Sequence, residues 1–288
     1  MSKIRFLRKE DLPEVKKEIT IEDILRANLS KPTVKRGYTN IHASDLTKPD
    51  YCPRMVALWR QGERKKQMEK LNPTLAMTFK MGNAVAQMIT EDIGGDSIWG
   101  DWECRSCGTM VKNSFKPPQH DCMMGATWRY EEIVFEHIES GASGSVDAFF
   151  DLLDGLFTVT ELKIISPDEF ESLKMPLWEH SIRTKLYLEI IANSNHPMLH
   201  KIKLDSAKVF YTCRTHGKKV NGRITPFKEF TVERDPDKVQ IYLDKARQIK
   251  MHEETGEYPA PLCPHLDCKE ARECNFVQQC AEIGGFAL

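Results

Sequence analysis

The 288-residue sequence contains no run of about 18 consecutive apolar residues, which excludes a membrane-spanning helix as an organising element. It has no basic excess either: 41 lysines and arginines face 42 aspartates and glutamates, a formal net charge of −1. A uniformly basic surface that coats nucleic acid is therefore excluded, and any anion-binding face must come from local charge. Internal repeats and low-complexity tracts are lacking, which sets aside solenoids and extended linkers. The opening run MSKIRFLRKEDLPEVKKE is too charged for a secretory signal, so the expectation is an intracellular, cytoplasmic protein without a membrane partner. What remains is an ordinary globular composition, 41% hydrophobic and 29% charged, enough to pack one large domain.

Charge is uneven along the chain. The stretches Arg60 to Lys70 and Lys201 to Arg223 are basic, and Glu131 to Asp154 is acidic. Acids gathered at a metal site beside a basic groove fit this pattern, and so do solvated faces.

Cysteine is the residue present in unusual number, with nine. In an intracellular protein, metal ligation explains dense cysteines better than disulfides. Cys104-Arg-Ser-Cys107-Gly has the spacing of a zinc-knuckle turn, and His120 and Cys122 complete a tetrahedral Cys3His set for Zn2+. Cys52 near the start and Cys263, Cys268, Cys274 and Cys280 near the end offer a second thiolate set, and Cys213 stands alone. Soft thiolates suit zinc or iron–sulfur clusters, and spacing alone does not separate the two. Trp99, Trp102 and Trp128 flank the first set. They can stack on the bases of a single strand or, more commonly, pack a small zinc module.

Periodicity predicts a short helix near Ile21–Asn28, another over YCPRMVALWRQ entered from a Ser44 cap, and a longer one from Thr74 to Ile93 with Leu75, Phe79, Val85, Met88 and Ile89 on one face. Strands follow at 131–138, 144–153 and 156–165, the last two joined at the turn signal Asp154-Gly155. Pro176 to Asn193 is the clearest helix, with Trp178, Ile182, Leu186 and Ile190 as a buried stripe. Strands at 207–213 and 227–232 and a helix from Asp235 to about Met251, with Val239, Leu243, Ala246 and Ile249 inward, complete an α/β core with a mixed central sheet flanked by helices. Three units are expected: a segment 1–40 without an assigned role, a domain over 41–288, and a zinc-binding insertion at 99–128.

Within this pattern Asp147 lies in one strand and Glu161 and Lys163 in the next, separated by one residue so that both face the same way. Two converging carboxylates suit Mg2+ or Mn2+, and a lysine beside them suits phosphoryl chemistry. The pattern D-x13-E-x-K alone is weak, and charged residues in a strand often mark its solvent side.

GSVDAFFD followed by TVTELKII resembles the active-site hairpin of the PD-(D/E)XK nuclease superfamily, in its RecB-like exonuclease branch. The order of Cys52 before the core and Cys274-x5-Cys280 after it is similar to the iron–sulfur members of that branch, the CRISPR adaptation nucleases and the AddB-type helicase–nucleases. The resemblance implies a restriction-endonuclease-like fold and a metal-dependent deoxyribonuclease, an exonuclease on single-stranded ends in recombination, repair or phage replication, with a helicase or recombination protein as a partner. It implies Asp147, Glu161 and the Leu162 carbonyl as ligands to Mg2+ or Mn2+, and Lys163 as the assisting cation. It implies a [4Fe–4S] cluster, or zinc in its place, on four of Cys52, Cys263, Cys268, Cys274 and Cys280, with Cys268 the nearest candidate for the place before Cys274 and Cys263 the next. The branch's Q-x-x-x-Y motif falls on Arg183 and Tyr187, with arginine in place of glutamine. Where the branch carries a metal-binding histidine after G-x-x-V, this sequence has Ala86, with Gln87 and Glu91 as neighbouring substitutes. These departures favour, as an alternative, a catalytically weak DNA-binding subunit of a larger complex; a nuclease directed at RNA is a third reading.

Overall fold

The computed structural model describes residues 21–31, 33–34, 39–62, 68–69, 72–116, 118, 120–215, 218–220 and 223–285. Residues 1–20, the centre of the basic run at 60–70 and parts of the 201–223 run lie outside these. In chain order the elements are α1 (Ile21–Leu29), β1 (Thr33–Val34), β2 (Ile41–His42), α2 (Ala43–Leu46), α3 (Pro53–Gln61), β3 (Met68–Glu69), α4 (Pro73–Gln87), β4 (Ile98–Cys104), β5 (Met110–Phe115), β6 (Trp128–Glu131), β7 (Val134–Glu136), β8 (Ala142–Ser145), β9 (Ala148–Asp151), β10 (Phe157–Ile165), α5 (Pro167–Ser172), α6 (Trp178–Ala192), β11 (Ile202–Cys213), β12 (Lys218–Val220), β13 (Arg223–Thr225), β14 (Phe227–Glu233), α7 (Pro236–Thr255), α8 (Lys269–Arg272) and α9 (Val277–Ile283).

The β-branched, apolar run at 156–165 becomes β10, the centre of the main sheet. It pairs in parallel with β11 and antiparallel with β9. The order β14-β11-β10-β9-β4-β5, with β6 also on β4, is a seven-stranded mixed sheet, and no pairing among the described residues closes it into a barrel. A second, three-stranded sheet has the order β2-β8-β7. The expected α/β architecture, a mixed central sheet flanked by helices, is the one found.

β10 alternates its faces between two helical layers. Phe157 and Val159 join Ile182, Leu186 and Ile190 of α6 and Val239, Leu243, Ala246 and Ile249 of α7 in the main core. Leu162 points the other way and meets Ala148 and Ile89, with Val85 and Ala86 of α4 against them. α7 has its own local reasons to start and stop where it does. Asp235 caps its first turn by accepting from the Lys238 amide, Pro236 needs no donor there, and Gly256 ends the helix at φ 77°.

Several expectations need correction. Trp178 opens α6 and is exposed, so the buried stripe begins one turn later at Ile182. The helix from Pro73 ends at Gln87 and continues as π-helix from Met88 to Ile93, and its predicted apolar face is only partly used: Leu75, Phe79 and Met88 are exposed while Ala76 and Ile89 are buried. The wider π turn shifts the register by which Ile89 reaches the sheet. Ser44 lies inside α2, whose cap position is His42. The run 131–138 is broken after Glu131, and the run 144–153 is broken at Val146 and Asp147, because β8 belongs to the small sheet and β9 to the large one.

The segment 99–128 grows out of the main sheet. β4 pairs with β9 through Ile98 and Trp99 before it pairs with β6. Trp99 is fully buried, stacked on Phe157 with ring centroids 4.3 Å apart and edge-on to Phe149. Trp102 is fully buried against Tyr130 and donates to the Ser114 carbonyl. These two indoles pack, leaving no face for a base. Trp99→Ala should therefore cost about 3–5 kcal/mol in urea unfolding, whereas Met123→Ala, fully exposed, should change stability by under about 0.5 kcal/mol. A Trp99→Ala loss below about 1 kcal/mol would mean that the segment folds independently of the sheet.

Candidate functional site

Asp147 sits at the bend between β8 and β9, not within a strand. In the β9–β10 register Thr160 faces Ala148, so Asp147 falls opposite Glu161. The Leu162 amide donates to Asp147 Oδ2 at 2.7 Å, which fixes the carboxylate beside β10. Glu161 and Lys163 share a face of β10, as period-two geometry requires. Lys163 Nζ lies 2.6 Å from Glu161 Oε1 and 3.2 Å from Asp147 Oδ2, and donates to the Leu162 carbonyl at 3.0 Å. Three hard oxygen donors thus converge on one ammonium.

This arrangement fits a divalent cation. Glu161 is 2% exposed, and its Oε2 is buried with no hydrogen-bond partner. A buried carboxylate with one oxygen unsatisfied is costly, and a further cation beside that oxygen would offset the cost. Burial first, and the Asp147 charge second, push the Glu161 carboxyl up to about 7 against the pull of Lys163 and Arg183. Burial presses the Lys163 ammonium down, but Asp147 and Glu161 together outweigh it and hold it above the usual lysine range.

α6 supplies the next layer. Arg183 Nη1 is 3.7 Å from Glu161 Oε1, and its Nε is buried without a partner. Tyr187, one turn on, is buried with its ring against Gly144: a Cβ there would meet Tyr187 Cδ1 at 2.8 Å, so position 144 needs glycine for this contact. Burial, then Glu161 and Asp147, raise the Tyr187 phenol above its usual range, and it stays protonated. His180, a turn before Thr184, shares its Nδ1 with the Tyr211 hydroxyl at 2.9 Å. Burial, then Lys163 and Arg183, lower it to about 4, so it is neutral.

Ala86 packs into the apolar cluster of Ile89, Ala148 and Leu162 and offers no ligand. The substitutes next to it are spent elsewhere: Glu91 pairs with Arg105 at 2.7 Å and accepts from Gln87 and from the Tyr130 amide. Two groups escaped the sequence reading. Glu132 lies close enough to Asp147 and Lys163 to feel both, with burial raising its carboxyl. It is hidden in EEIVFEHI, where acids alternate as on any solvent-facing strand. His180 is hidden among helix-surface residues.

A second site lies at the far end of β4. Cys104, Cys107, His120 and Cys122 have donor atoms all within 4.8 Å of one another, the one such group among the described residues. A knuckle makes it: the Gly108 amide donates to the Cys104 carbonyl at 2.7 Å, with Gly108 at φ 75°. Cys104 Sγ and Cys122 Sγ are 3.8 Å apart, which matches the edge of a tetrahedron with Zn–S near 2.3 Å, about 3.8 Å. The Thr109 hydroxyl, first, lowers the Cys107 thiol to about 7 and favours its thiolate.

The remaining cysteines gather where the chain ends meet. Cys52, Cys263, Cys274 and Cys280 line a cleft of about 910 Å³, which Arg183 also borders. Cys268 lies beside Cys263 and caps α8, accepting from the Ala271 amide. Burial, then Cys268, Cys52 and Cys274, push Cys263 up to about 12, and burial raises Cys274. Among the described residues these sulfurs do not form a close donor group of the Cys3His kind.

No family model matches the chain, and no curated protein matches it in sequence. A solved structure described as the crystal structure of SSO0001 aligns over 91% of this chain and 94% of its own at 15% identity, with a TM-score of 0.37. That similarity carries no argument about function. No helix among the described residues is long and apolar enough to cross a membrane.

Two outcomes follow. Cys122→Ser should lower bound zinc by one ion per chain and reduce the thermal midpoint by about 5 °C or more, which for this size corresponds to roughly 2 kcal/mol; unchanged metal content would refute the tetrahedral site. At the acid notch the folded Glu161 pKa is raised, so between its unfolded value near 4.5 and about 7 the folded state holds more protons than the unfolded one. Metal-free stability should therefore fall through that window as pH rises, and Glu161→Gln should flatten this slope in pH-dependent chemical denaturation.

Proposed function

We propose that the protein is a metal-dependent deoxyribonuclease that hydrolyses phosphodiester bonds at single-stranded or free DNA ends. The observation that carries this reading is the convergence of Asp147, Glu161 and the Leu162 carbonyl on Lys163 Nζ. The likeness of GSVDAFFD and TVTELKII to the RecB-like hairpin adds to it. Asp147, Glu161 and the Leu162 carbonyl would hold Mg2+ or Mn2+. Such a cation, when bound, lowers the pKa of a water and neutralises charge developing on the phosphoryl oxygens.

The chain's own groups do the rest. Lys163 keeps its proton because Asp147 and Glu161 hold its pKa up, so it acts as a donor that orients a water or an anionic oxygen. Arg183 presents a guanidinium at the rim of the notch and can grip a phosphate with two parallel bonds. Tyr187 is a positioning residue: its ring fixes the strand that leads into Asp147. The Cys3His set would hold a structural Zn2+. Cys52, Cys263, Cys274 and Cys280 would hold a [4Fe–4S] cluster, or zinc in its place, and tie the chain ends together. The setting is cytoplasmic, with a helicase or recombination protein as a partner.

Ala86 favours a second reading, a catalytically weak DNA-binding subunit, because one side-chain ligand of the resembled family has no counterpart there. Incubating the protein with end-labelled single-stranded DNA and Mn2+ separates the two. A nuclease loses at least about 100-fold in rate in Lys163→Ala and Glu161→Gln while metal-free DNA binding persists. Wild-type cleavage no faster than the variants', with DNA still bound, would leave the subunit reading. Preferential cleavage of an RNA competitor would transfer the activity to RNA.

A further inference from the structure

The acidic notch has a third carboxylate that no sequence motif marks. Glu132 lies in the short link between β6 and β7. β7 and β8 pair with Val134 opposite Ser145, and the Val146 amide donates to the Ile133 carbonyl at 3.4 Å. The same antiparallel register carries Glu132 to the level of Asp147. The Glu132 residue is exposed at the rim of the notch, interacts with the Ser145 hydroxyl, and feels the charges of both Asp147 and Lys163. An independent observation on the opposite strand points to a ligand in this space. Glu161, on β10, is 2% exposed and its buried Oε2 has no hydrogen-bond partner.

We propose that Glu132 is the third protein carboxylate of a divalent-cation site with Asp147 and Glu161, filling the side-chain role that Ala86 leaves empty. The proposal rests on the reading of the notch as a cation site. Its chemistry is that of hard cations, which prefer oxygen donors and are served by carboxylates from several elements. Ala86 is locked in an apolar cluster on the Leu162 face of β10, so a ligand from α4 at that position is excluded. Glu132 reaches the notch from the link between the two sheets instead. The charge logic agrees: three acids around one lysine, with Arg183 leaning on Glu161 alone, repel one another unless a cation joins them.

The test is titration of the full-length, zinc-loaded protein with Mn2+ alone, followed by the loss of the free-ion paramagnetic resonance signal. Wild type should bind Mn2+, and Asp147→Asn should abolish it. Glu132→Gln should weaken binding by about tenfold or more, and Glu132→Asp, with a shorter reach, should fall between the two. Thermal melts and zinc content identify variants that do not fold, and Glu132→Asp then carries the test by itself. Mn2+ affinity equal to wild type in either folded Glu132 variant, with Asp147→Asn deficient, overturns the role of Glu132 and leaves the cation site standing. A wild type that binds no Mn2+ overturns both.

Discussion

The hydrogen bond from the Leu162 amide to Asp147 decides where the charges of this protein meet. β9 and β10 stop pairing after Thr160 and Ala148, so the Leu162 N–H has no ladder partner on that side. A buried amide must be satisfied, and the Asp147 carboxylate does it from the bend between two sheets. That one bond sets a second carboxylate beside buried Glu161. Two cations answer the resulting excess of negative charge: a lysine held protonated and an arginine on the adjacent helix. In a site that needed only stability, apolar side chains would serve at least as well.

The Cys3His set and the notch share one scaffold. β4 begins paired with β9, next to the notch, and ends at Cys104. Arg105, one residue further, reaches back to Glu91 after α4, and the same glutamate accepts from the Tyr130 amide. The Cys3His segment is therefore tied by a strand and by an ion pair to the helix that covers the Leu162 face. A charged contact of this kind, partly exposed, contributes little to stability by itself.

Much of this was legible in the sequence, and the exceptions have physical causes. Period two placed Glu161 with Lys163, and C-x2-C-Gly placed the knuckle, because both are local consequences of backbone geometry. The stripe of α7 was legible for the same reason, since one face of it is buried along its whole length. Asp147 was misplaced because a strand that changes sheets in mid-run looks in sequence like one strand. Trp99 and Trp102 fall within a segment rich in Cys, Gly and Pro, so their part in the main sheet is invisible until β4 is paired. Glu132 could not be singled out, because its neighbours across the sheet boundary are set by tertiary register. Among the five terminal cysteines, spacing put Cys268 ahead of Cys263; the four that line one cleft include Cys263 and not Cys268, because they are grouped by how the chain ends pack.

That packing has an anchor made of protein alone. Arg54 follows Cys52-Pro53 at the start of α3 and is 4% exposed. Its Nε donates to the Pro259 carbonyl at 2.6 Å, its Nη1 donates to the Gly284 carbonyl, and Nη1 lies 3.8 Å from Cys280 Sγ. A buried guanidinium is expensive unless its donors are used, and here backbone oxygens on both sides of the terminal cysteines use them. Gly285 leaves the room this needs, since a Cβ there would come within 3.3 Å of Arg54 Nη2. The leading and closing cysteines are thus held near each other by a cation that belongs to the chain. The terminal cleft differs in this respect from the Cys3His knuckle, whose donors crowd together without such a brace, and a metal group entering the cleft would strengthen a closure that Arg54 already makes.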